Sequence, residues 1–231
     1  MTEKLEKTYW GLRPKKLMFC VITSVAVAVC GFLSSQPIFE IMISVFSIVT
    51  VVYISEGKLA GCVCGMIFCA AYITISYSRQ LYGLMIFEIF IAIPLYFVSL
   101  FTWKKNQNRG AVAVKRLSAK KLIFVSAITF IGYWCAFLLL TTIGSSDIVF
   151  DSLTLVLATA GMTLLSLRYV EQWYFNIASN VSIAILWVFK LAESISNLNF
   201  FISAVIFVIC NIIGLLSWRR LERHNKAPIF E

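Results

Sequence analysis

The amino-acid sequence predicts an all-α membrane protein with eight transmembrane helices. Of its 231 residues, 60% are hydrophobic and only 13% are charged, and the mean hydropathy is +0.88. The apolar residues fall into eight runs, several of about 17 residues, which is the short end of what spans a bilayer. A soluble domain of this length does not need so much apolar surface, so the chain is predicted to be a polytopic membrane protein.

Short polar segments separate the apolar runs and set the order of the elements. The predicted spans cover residues 17–33, 38–54, 59–77, 81–103, 122–143, 148–167, 173–189 and 199–218. They divide the chain into a basic N-terminus (1–16), an extra helix (17–33), a first three-helix repeat (38–103), a basic loop (104–121), a connector helix (122–143), a second three-helix repeat (148–218) and a tail (219–231).

The distribution of Lys and Arg predicts the orientation. With the N-terminus inside, eighteen of the twenty basic residues fall on the inner side, and only Arg79 and Lys190 fall outside. Cytoplasmic loops carry an excess of positive charge, so both termini are expected in the cytoplasm and the protein in the cell membrane. The net charge of +9 does not indicate nucleic-acid binding, because the basic residues sit in short loops beside apolar runs.

An internal repeat is visible at an offset of 115 residues. Trp103 closes the fourth span before two lysines, and Trp218 closes the eighth before two arginines. The same offset places Glu56 on Glu171. A displacement of four spans keeps the orientation, so the two halves are expected to be parallel repeats around a connector helix, in a 3+1+3 arrangement.

The most informative stretch begins the seventh span. Trp173, Asn176 and Asn180 are spaced at i, i+3 and i+7, so they share one helical face. Polar side chains in hydrocarbon are costly and normally face a bundle interior or a wet cavity, so this face is a candidate binding site for a flat ring. Two alternatives remain open: the amides hold helices together, or the indole belongs to an interfacial aromatic belt.

Other polar or aromatic residues within the spans are further candidates. Glu88 is a carboxyl group that could attract a positively charged ring, or it is protonated or paired with a neighbouring helix. Asn211 and Tyr96 are candidate hydrogen-bonding groups in the same cavity. Trp187 could gate the site, although an aromatic belt is the preferred interpretation, and Asp151 is expected to cap its own helix.

Catalytic and metal-binding patterns are absent from the sequence. The seven cysteines lie in apolar stretches without CxxC spacing, and the single histidine, His224, lies in the tail. There is no HExxH, GxSxG or phosphate-binding loop. The chain is therefore expected not to be an enzyme, and no cofactor or metal is expected.

The sequence from Phe150 to Asn180 resembles a signature of the PnuC family of vitamin transporters. The residues Phe-Asp-Ser-Leu-Thr at 150–154 and Arg-Tyr-Val-Glu-Gln-Trp at 168–173, followed by Asn180, are similar to the family pattern FD-x-L-T…R-Y-x-E-[NQ]-W-x-x-W-x-x-x-N. The resemblance covers roughly residues 38–221. The tryptophan that the family has second in W-x-x-W is Asn176 here.

This resemblance implies a fold, a substrate class and partners. It implies a SWEET-like parallel-repeat fold, a homo-oligomer of three chains, and facilitated diffusion of a vitamin that a cytoplasmic kinase then phosphorylates. Nicotinamide riboside is the first candidate, and thiamine, riboflavin or a nucleoside are alternatives because Asn176 changes the site. The substrate-binding residues are then expected to be Trp173, Asn176, Asn180, Glu88, Asn211, Tyr96 and Trp187.

Two other classes of function stay open. The chain could be the substrate-binding membrane component of a larger complex with separate energising subunits, which co-purification with ATPases would indicate. It could also be a structural anchor, which the absence of any ligand-induced stabilisation would favour.

Overall fold

Eight membrane-length helices form the protein. The computed structural model describes residues 12, 14–108 and 111–226, without the side chains of 108, 196, 199 and 224–226. Within that part of the chain the helices are α1 (Pro14–Leu33), α2 (Ile38–Ser55), α3 (Leu59–Ser78), α4 (Tyr82–Lys105), α5 (Ala119–Ile143), α6 (Ile148–Ser166), α7 (Gln172–Glu193) and α8 (Leu198–Lys226). The predicted all-α fold with eight spans is confirmed.

Several helices continue beyond the apolar runs from which they were predicted. α5 begins at Ala119 and α8 reaches Lys226, so both include basic residues outside the predicted spans. Long cationic side chains can extend along a helix into water, so charge does not end a helix at the membrane surface. Most of the predicted N-terminal segment, 1–11 and 13, lies outside the described residues, as do 227–231 and the side chain of His224.

The first helix of each repeat ends in the same type of turn. Gly57 after α2 and Arg168 after α6 both have a left-handed backbone with φ of 66°. Each turn is closed by an equivalent pair of atoms, Lys58 N to Tyr53 O at 3.1 Å and Tyr169 N to Leu164 O at 2.9 Å. This hydrogen bond is the one that closes a Schellman motif. Gly57 and Arg168 are therefore equivalent and lie 111 positions apart, so the predicted pairing of Glu56 with Glu171 is wrong.

Two tryptophans, one in each repeat, each donate a hydrogen bond to a backbone carbonyl of the other repeat. The indole N–H of Trp103, from the first repeat, donates to the carbonyl of Leu165 in the second at 3.2 Å. The indole N–H of Trp218 donates to the carbonyl of Ile54 in the first at 2.9 Å. The two rings lie 5.7 Å apart. This reciprocal arrangement is what a pair of structural repeats produces, and the 115-residue offset does relate the two tryptophans.

The basic loop joins both turns on one surface, called the loop side below. A short hairpin of β1 (Gln107–Asn108) and β2 (Ala111–Val112) begins it. Val112 N donates to Gly57 O at 3.1 Å, and Lys115 N donates to Arg168 O at 2.8 Å. The loop therefore binds the equivalent carbonyl of each repeat.

The core contains three apolar clusters among the described residues, and the two larger ones lie at different depths. The loop-side cluster contains Trp103, Trp173 and Trp218. The far-side cluster, toward the opposite surface, contains Trp187 and Phe200 together with Leu81, Leu84 and Leu186. α1 and α5 lie at the periphery and bury few of their residues, so most of their apolar surface faces outward.

Candidate functional site

A cavity of about 190 Å³ lies between the two repeats, with walls from α2, α3, α4, α6, α7 and α8. All seven residues predicted as a binding site line it: Trp173, Asn176, Asn180, Glu88, Asn211, Tyr96 and Trp187. Helical spacing therefore predicted the cavity-lining face of α7, and polarity within the membrane spans indicated Glu88 on α4 and Asn211 on α8. Whether these residues bind substrate stays a prediction.

The polar face of α7 runs along one wall of this cavity. The Asn176 amide donates to Gln172 Oε1 at 2.9 Å, and the Asn180 amide donates to the carbonyl of Asn176 at 2.8 Å. Both amides thus donate within their own helix. The Asn180 carbonyl oxygen is left to accept a hydrogen bond from a guest, whereas that of Asn176 packs against Gly161. On α8, the Asn211 amide donates in the same way to the carbonyl of Phe207 at 2.7 Å.

Trp173 is held in place by close packing at the loop-side end of the cavity. Its six-membered ring packs directly over Gly214, where a Cβ atom would collide with it. The Trp173 and Trp218 rings meet edge to face with their centroids 5.8 Å apart. The side chain is buried, which excludes an aromatic belt facing lipid. Among the described residues its indole N–H has no hydrogen-bond partner. A buried donor without a partner is costly, so it is a candidate contact for a ligand.

Glu88 lies at an irregularity in α4. A π-helical turn, Glu88–Ala92, interrupts this helix, and Pro94 follows at the start of the next α-helical segment. Proline lacks an N–H and disturbs the preceding helical turn, and π-turns occur frequently at functional sites. The Glu88 carboxyl is 4% exposed and hydrogen-bonded to the Cys69 thiol, while Oε2 has no partner within the described part of the chain.

Trp187 closes the far-side end of the cavity. Its ring stacks on Phe200 with centroids 4.6 Å apart, and its N–H bonds to the Tyr72 hydroxyl. The residue is 1% exposed, so the preferred prediction of an aromatic belt is wrong for Trp187. Its position within α7 puts the ring inside the bundle instead of at its lipid-facing surface. Tyr96 also lines the cavity and packs against Gly65 of α3.

Asp151 caps a neighbouring helix and not its own, contrary to prediction. It is fully buried in the first turn of α6. Its carboxylate accepts hydrogen bonds from Gly83 N at 2.7 Å, Leu84 N at 3.0 Å and the Ser145 hydroxyl at 2.6 Å. It therefore satisfies free N–H groups at the start of α4. Sequence position alone could not show that a residue of α6 has this role.

Sequence reasoning missed a set of hydroxyl groups that also line the cavity: Ser44, Ser47, Thr50, Thr154, Ser179 and Ser203. Three of them lie on α2 at a spacing of three residues, a helical signal within an otherwise apolar run. The hydroxyl of Ser203 has no partner among the described residues. Ser and Thr in membrane helices usually form hydrogen bonds to the backbone of their own helix. A Ser or Thr within a span therefore indicates a binding site less strongly than a Glu or Asn does.

The stretch 168–180 begins with charged residues, which bind the basic loop and do not line the cavity. Glu171 accepts a hydrogen bond from Leu117 N at 3.0 Å and lies 3.8 Å from the Arg116 guanidinium. Arg168 donates to the carbonyl of Ala113 at 3.3 Å. Burial lowers the pKa of the Arg168 guanidinium from its ordinary value. The stretch therefore divides into a loop-binding half and a cavity-lining half at the start of α7.

A family model described as "Nicotinamide mononucleotide transporter" matches residues 37–220, most of the chain. The chain belongs to this family. The resemblance to PnuC transporters is thereby confirmed, and membership makes the chain a multi-pass membrane transporter.

Relatives within the nicotinamide mononucleotide transporter family agree with this assignment. The nicotinamide riboside transporter PnuC of Neisseria mucosa is 28% identical over 192 residues, which cover 79% of this chain and 72% of that protein. The PnuC of Haemophilus influenzae is 25% identical over 220 residues, covering 93% and 94%. A crystal structure of the vitamin B3 transporter PnuC has the same fold, with a TM-score of 0.83 at 23% identity over 94% of this chain and 95% of that one.

Proposed function

We propose that this transporter carries a vitamin-type organic cation, with nicotinamide riboside as the first candidate, by facilitated diffusion. The observation that carries the proposal is the Glu88 carboxyl, which lines the cavity with one oxygen unpartnered among the described residues. The lining contains no Lys, Arg or His within the part of the chain described. In a low-dielectric cavity, such a wall attracts cations and repels anions.

The names of the relatives support nicotinamide riboside, whose pyridinium ring carries a fixed positive charge. Thiamine is the second candidate, since it is also a ring cation and Asn176 replaces a tryptophan of the family pattern. The Asn176 side chain packs directly against Gly161, so the cavity wall here is adapted to an amide. Riboflavin has no positive charge for Glu88 to attract and is less well suited.

Phosphorylation in the cytoplasm would then make uptake unidirectional. A phosphate group adds negative charge, and the cavity offers it a carboxyl group and no cationic side chain among the described lining residues. We therefore propose functional coupling to a vitamin kinase. Assembly as a homotrimer, by family resemblance, and cytoplasmic termini belong to the same proposal. A role as one component of an ATPase complex would be shown by co-purification of the energising subunits.

Calorimetry with the purified protein tests the proposal. We expect nicotinamide riboside or thiamine to bind, and nicotinamide mononucleotide not to bind. The substitution Glu88→Gln should weaken binding of the cation about tenfold, the scale of a lost hydrogen bond to a charged group. The control Glu193→Gln removes a carboxylate that is 62% exposed on the far side and should leave affinity unchanged. Binding of the mononucleotide, or no effect of Glu88→Gln, would contradict a cation-selective cavity.

A further inference from the structure

Three polar atoms that line the cavity are buried and without a partner among the described residues, and they are not at the same depth. They are Glu88 Oε2, Ser203 Oγ and Trp173 Nε1. Glu88 is 4%, Ser203 6% and Trp173 1% exposed. Buried polar groups are nearly always satisfied, so each of these atoms is a candidate contact for a guest.

Glu88 and Ser203 lie together near the far side. Glu88 is six residues from the far-side end of α4, Ser203 five residues from that of α8, and Trp187 six residues from that of α7. At 1.5 Å per residue, all three lie about 8–9 Å from the ends of their helices. Phe200, one turn from Ser203, stacks on Trp187. A carboxyl group, a hydroxyl group and an indole thus meet at one level.

Trp173 lies at the opposite end of the cavity. It is fourteen residues from Trp187 on α7, about 21 Å of helix. Its ring meets Trp218, which meets Trp103, and Trp103 is fifteen residues from Glu88 on α4, about 22 Å of helix. The lengths of α7 and α4 thus both indicate that Glu88 and Trp173 lie near opposite ends of the cavity, too far apart for one aromatic ring to touch both.

We infer that the cavity holds two successive binding stations for an aromatic cation. The far-side station consists of Glu88, Ser203 and Trp187, and the loop-side station consists of Trp173 with Asn176 and Asn211. This inference rests on the proposed function and deepens it. The far-side station binds more tightly, because a carboxyl group faces the cation there. The loop-side station receives the cation on its way to the opposite membrane surface.

A single site and two alternative stations predict different affinities in a set of four proteins: wild type, Glu88→Gln, Trp173→Phe and the double variant. A single site that used both groups would lose affinity in each single variant, and the losses would multiply in the double variant. For two alternative stations the association constants add. Loss of the weaker station then leaves at least half of the wild-type association constant.

Calorimetry with nicotinamide riboside, and with thiamine in parallel, tests the inference. We expect Glu88→Gln to bind about tenfold more weakly. Trp173→Phe should keep at least half of the association constant while slowing transport into proteoliposomes. In the Glu88→Gln background, Trp173→Phe should lower affinity further, because the loop-side station then carries a larger share of the binding. A tenfold loss in Trp173→Phe alone, or no effect of this change in the Glu88→Gln background, would overturn the two stations.

Neutral substitutions repeat the test without altering charge or aromatic packing. Ser203→Ala should weaken equilibrium binding, and Asn176→Leu should slow transport more than it weakens binding. The matched control is Ser76→Ala, which also removes a buried hydroxyl without a partner among the described residues, but one that does not line the cavity. An equal effect of Ser76→Ala and Ser203→Ala would overturn the far-side station. If neither vitamin binds the wild type, the proposed function falls and this inference falls with it.

Discussion

Asp151 is the residue whose loss should cost the most stability outside the cavity. Its carboxylate accepts three hydrogen bonds, from Gly83 N, Leu84 N and Ser145 Oγ. Asp151→Ala leaves the buried N–H groups of Gly83 and Leu84 unsatisfied, which should lower the free energy of unfolding by about 2–3 kcal/mol. Asp151→Asn keeps one acceptor oxygen and should cost less. Thermal unfolding in detergent measures both.

The control for this prediction is Ser146→Ala on the same turn, where the hydroxyl group is exposed and donates to Asp147. Its unfolding midpoint should match that of the wild type. If Asp151→Ala unfolded at the same temperature as Ser146→Ala, the carboxylate would not be holding the start of α4.

Gly214 should act on binding through Trp173. A Cβ atom at this position would collide with the Trp173 ring, which must then tilt or shift. We therefore expect Gly214→Ala to slow transport by roughly tenfold or more, because small displacements of a site residue are costly. Gly132→Ala is the control, since its Cβ would meet Val156 at an ordinary 3.7 Å. Initial uptake rates into proteoliposomes distinguish the two, and equal rates would mean that the Trp173 position is not required.

At the scale of single residues, the sequence predicts which side chains share a face of one helix, but not which residues of another helix they contact. The spacing of Trp173, Asn176 and Asn180 was sufficient to place them on one cavity wall. It could not show that Asp151 reaches across to α4, because that contact joins residues 67 and 68 positions apart. Residue spacing also carries no information on depth between helices, whereas helix lengths place Glu88 and Trp173 near opposite ends of the cavity.

At the scale of elements, the hydrophobic runs located all eight membrane-length helices of the described residues, since few other signals are needed to place a membrane span. The irregular parts were not foreseen. Pro94 lies in an uninterrupted apolar run, so its effect on the preceding turn of α4 did not change the predicted span. The hairpin in the basic loop has strands of only two residues, too short for a periodic pattern. The hairpin binds the carbonyl group of Gly57 through Val112 N, and Lys115 N beyond the hairpin binds that of Arg168.

The reciprocal tryptophans should contribute equally to the joining of the repeats. Trp103→Phe and Trp218→Phe each remove one indole N–H that bonds to the end of a helix in the other repeat. Each should lower the free energy of unfolding by about 1–2 kcal/mol, the scale of one buried hydrogen bond with some loss of packing. Trp134→Phe on α5 is the control, since that ring is 55% exposed. Unequal unfolding midpoints for the two buried positions would argue against equivalent roles.

For the whole molecule, the positive charge is concentrated on the loop side. Both cations of the far side are paired: Arg79 lies 3.6 Å from Glu40, and Lys190 lies 3.0 Å from Asp147. Pairing with an acid reduces the field of each cation in its surroundings. The excess positive charge therefore lies on the loop side, so we expect that side to be retained in the cytoplasm and the far side to receive the substrate for uptake.

Labelling of introduced cysteines with a membrane-impermeant maleimide tests this orientation. Ser146→Cys lies in the exposed far-side turn between α5 and α6, and Lys120→Cys lies exposed at the loop-side start of α5. In intact cells we expect Ser146→Cys to react and Lys120→Cys to react only after permeabilisation, relative to the wild type with its seven native cysteines. The two positions lie at opposite ends of one helix, so their order also tests the span of α5. Labelling of Lys120→Cys in intact cells, with Ser146→Cys protected, would reverse the orientation and place the Glu88 station on the cytoplasmic side.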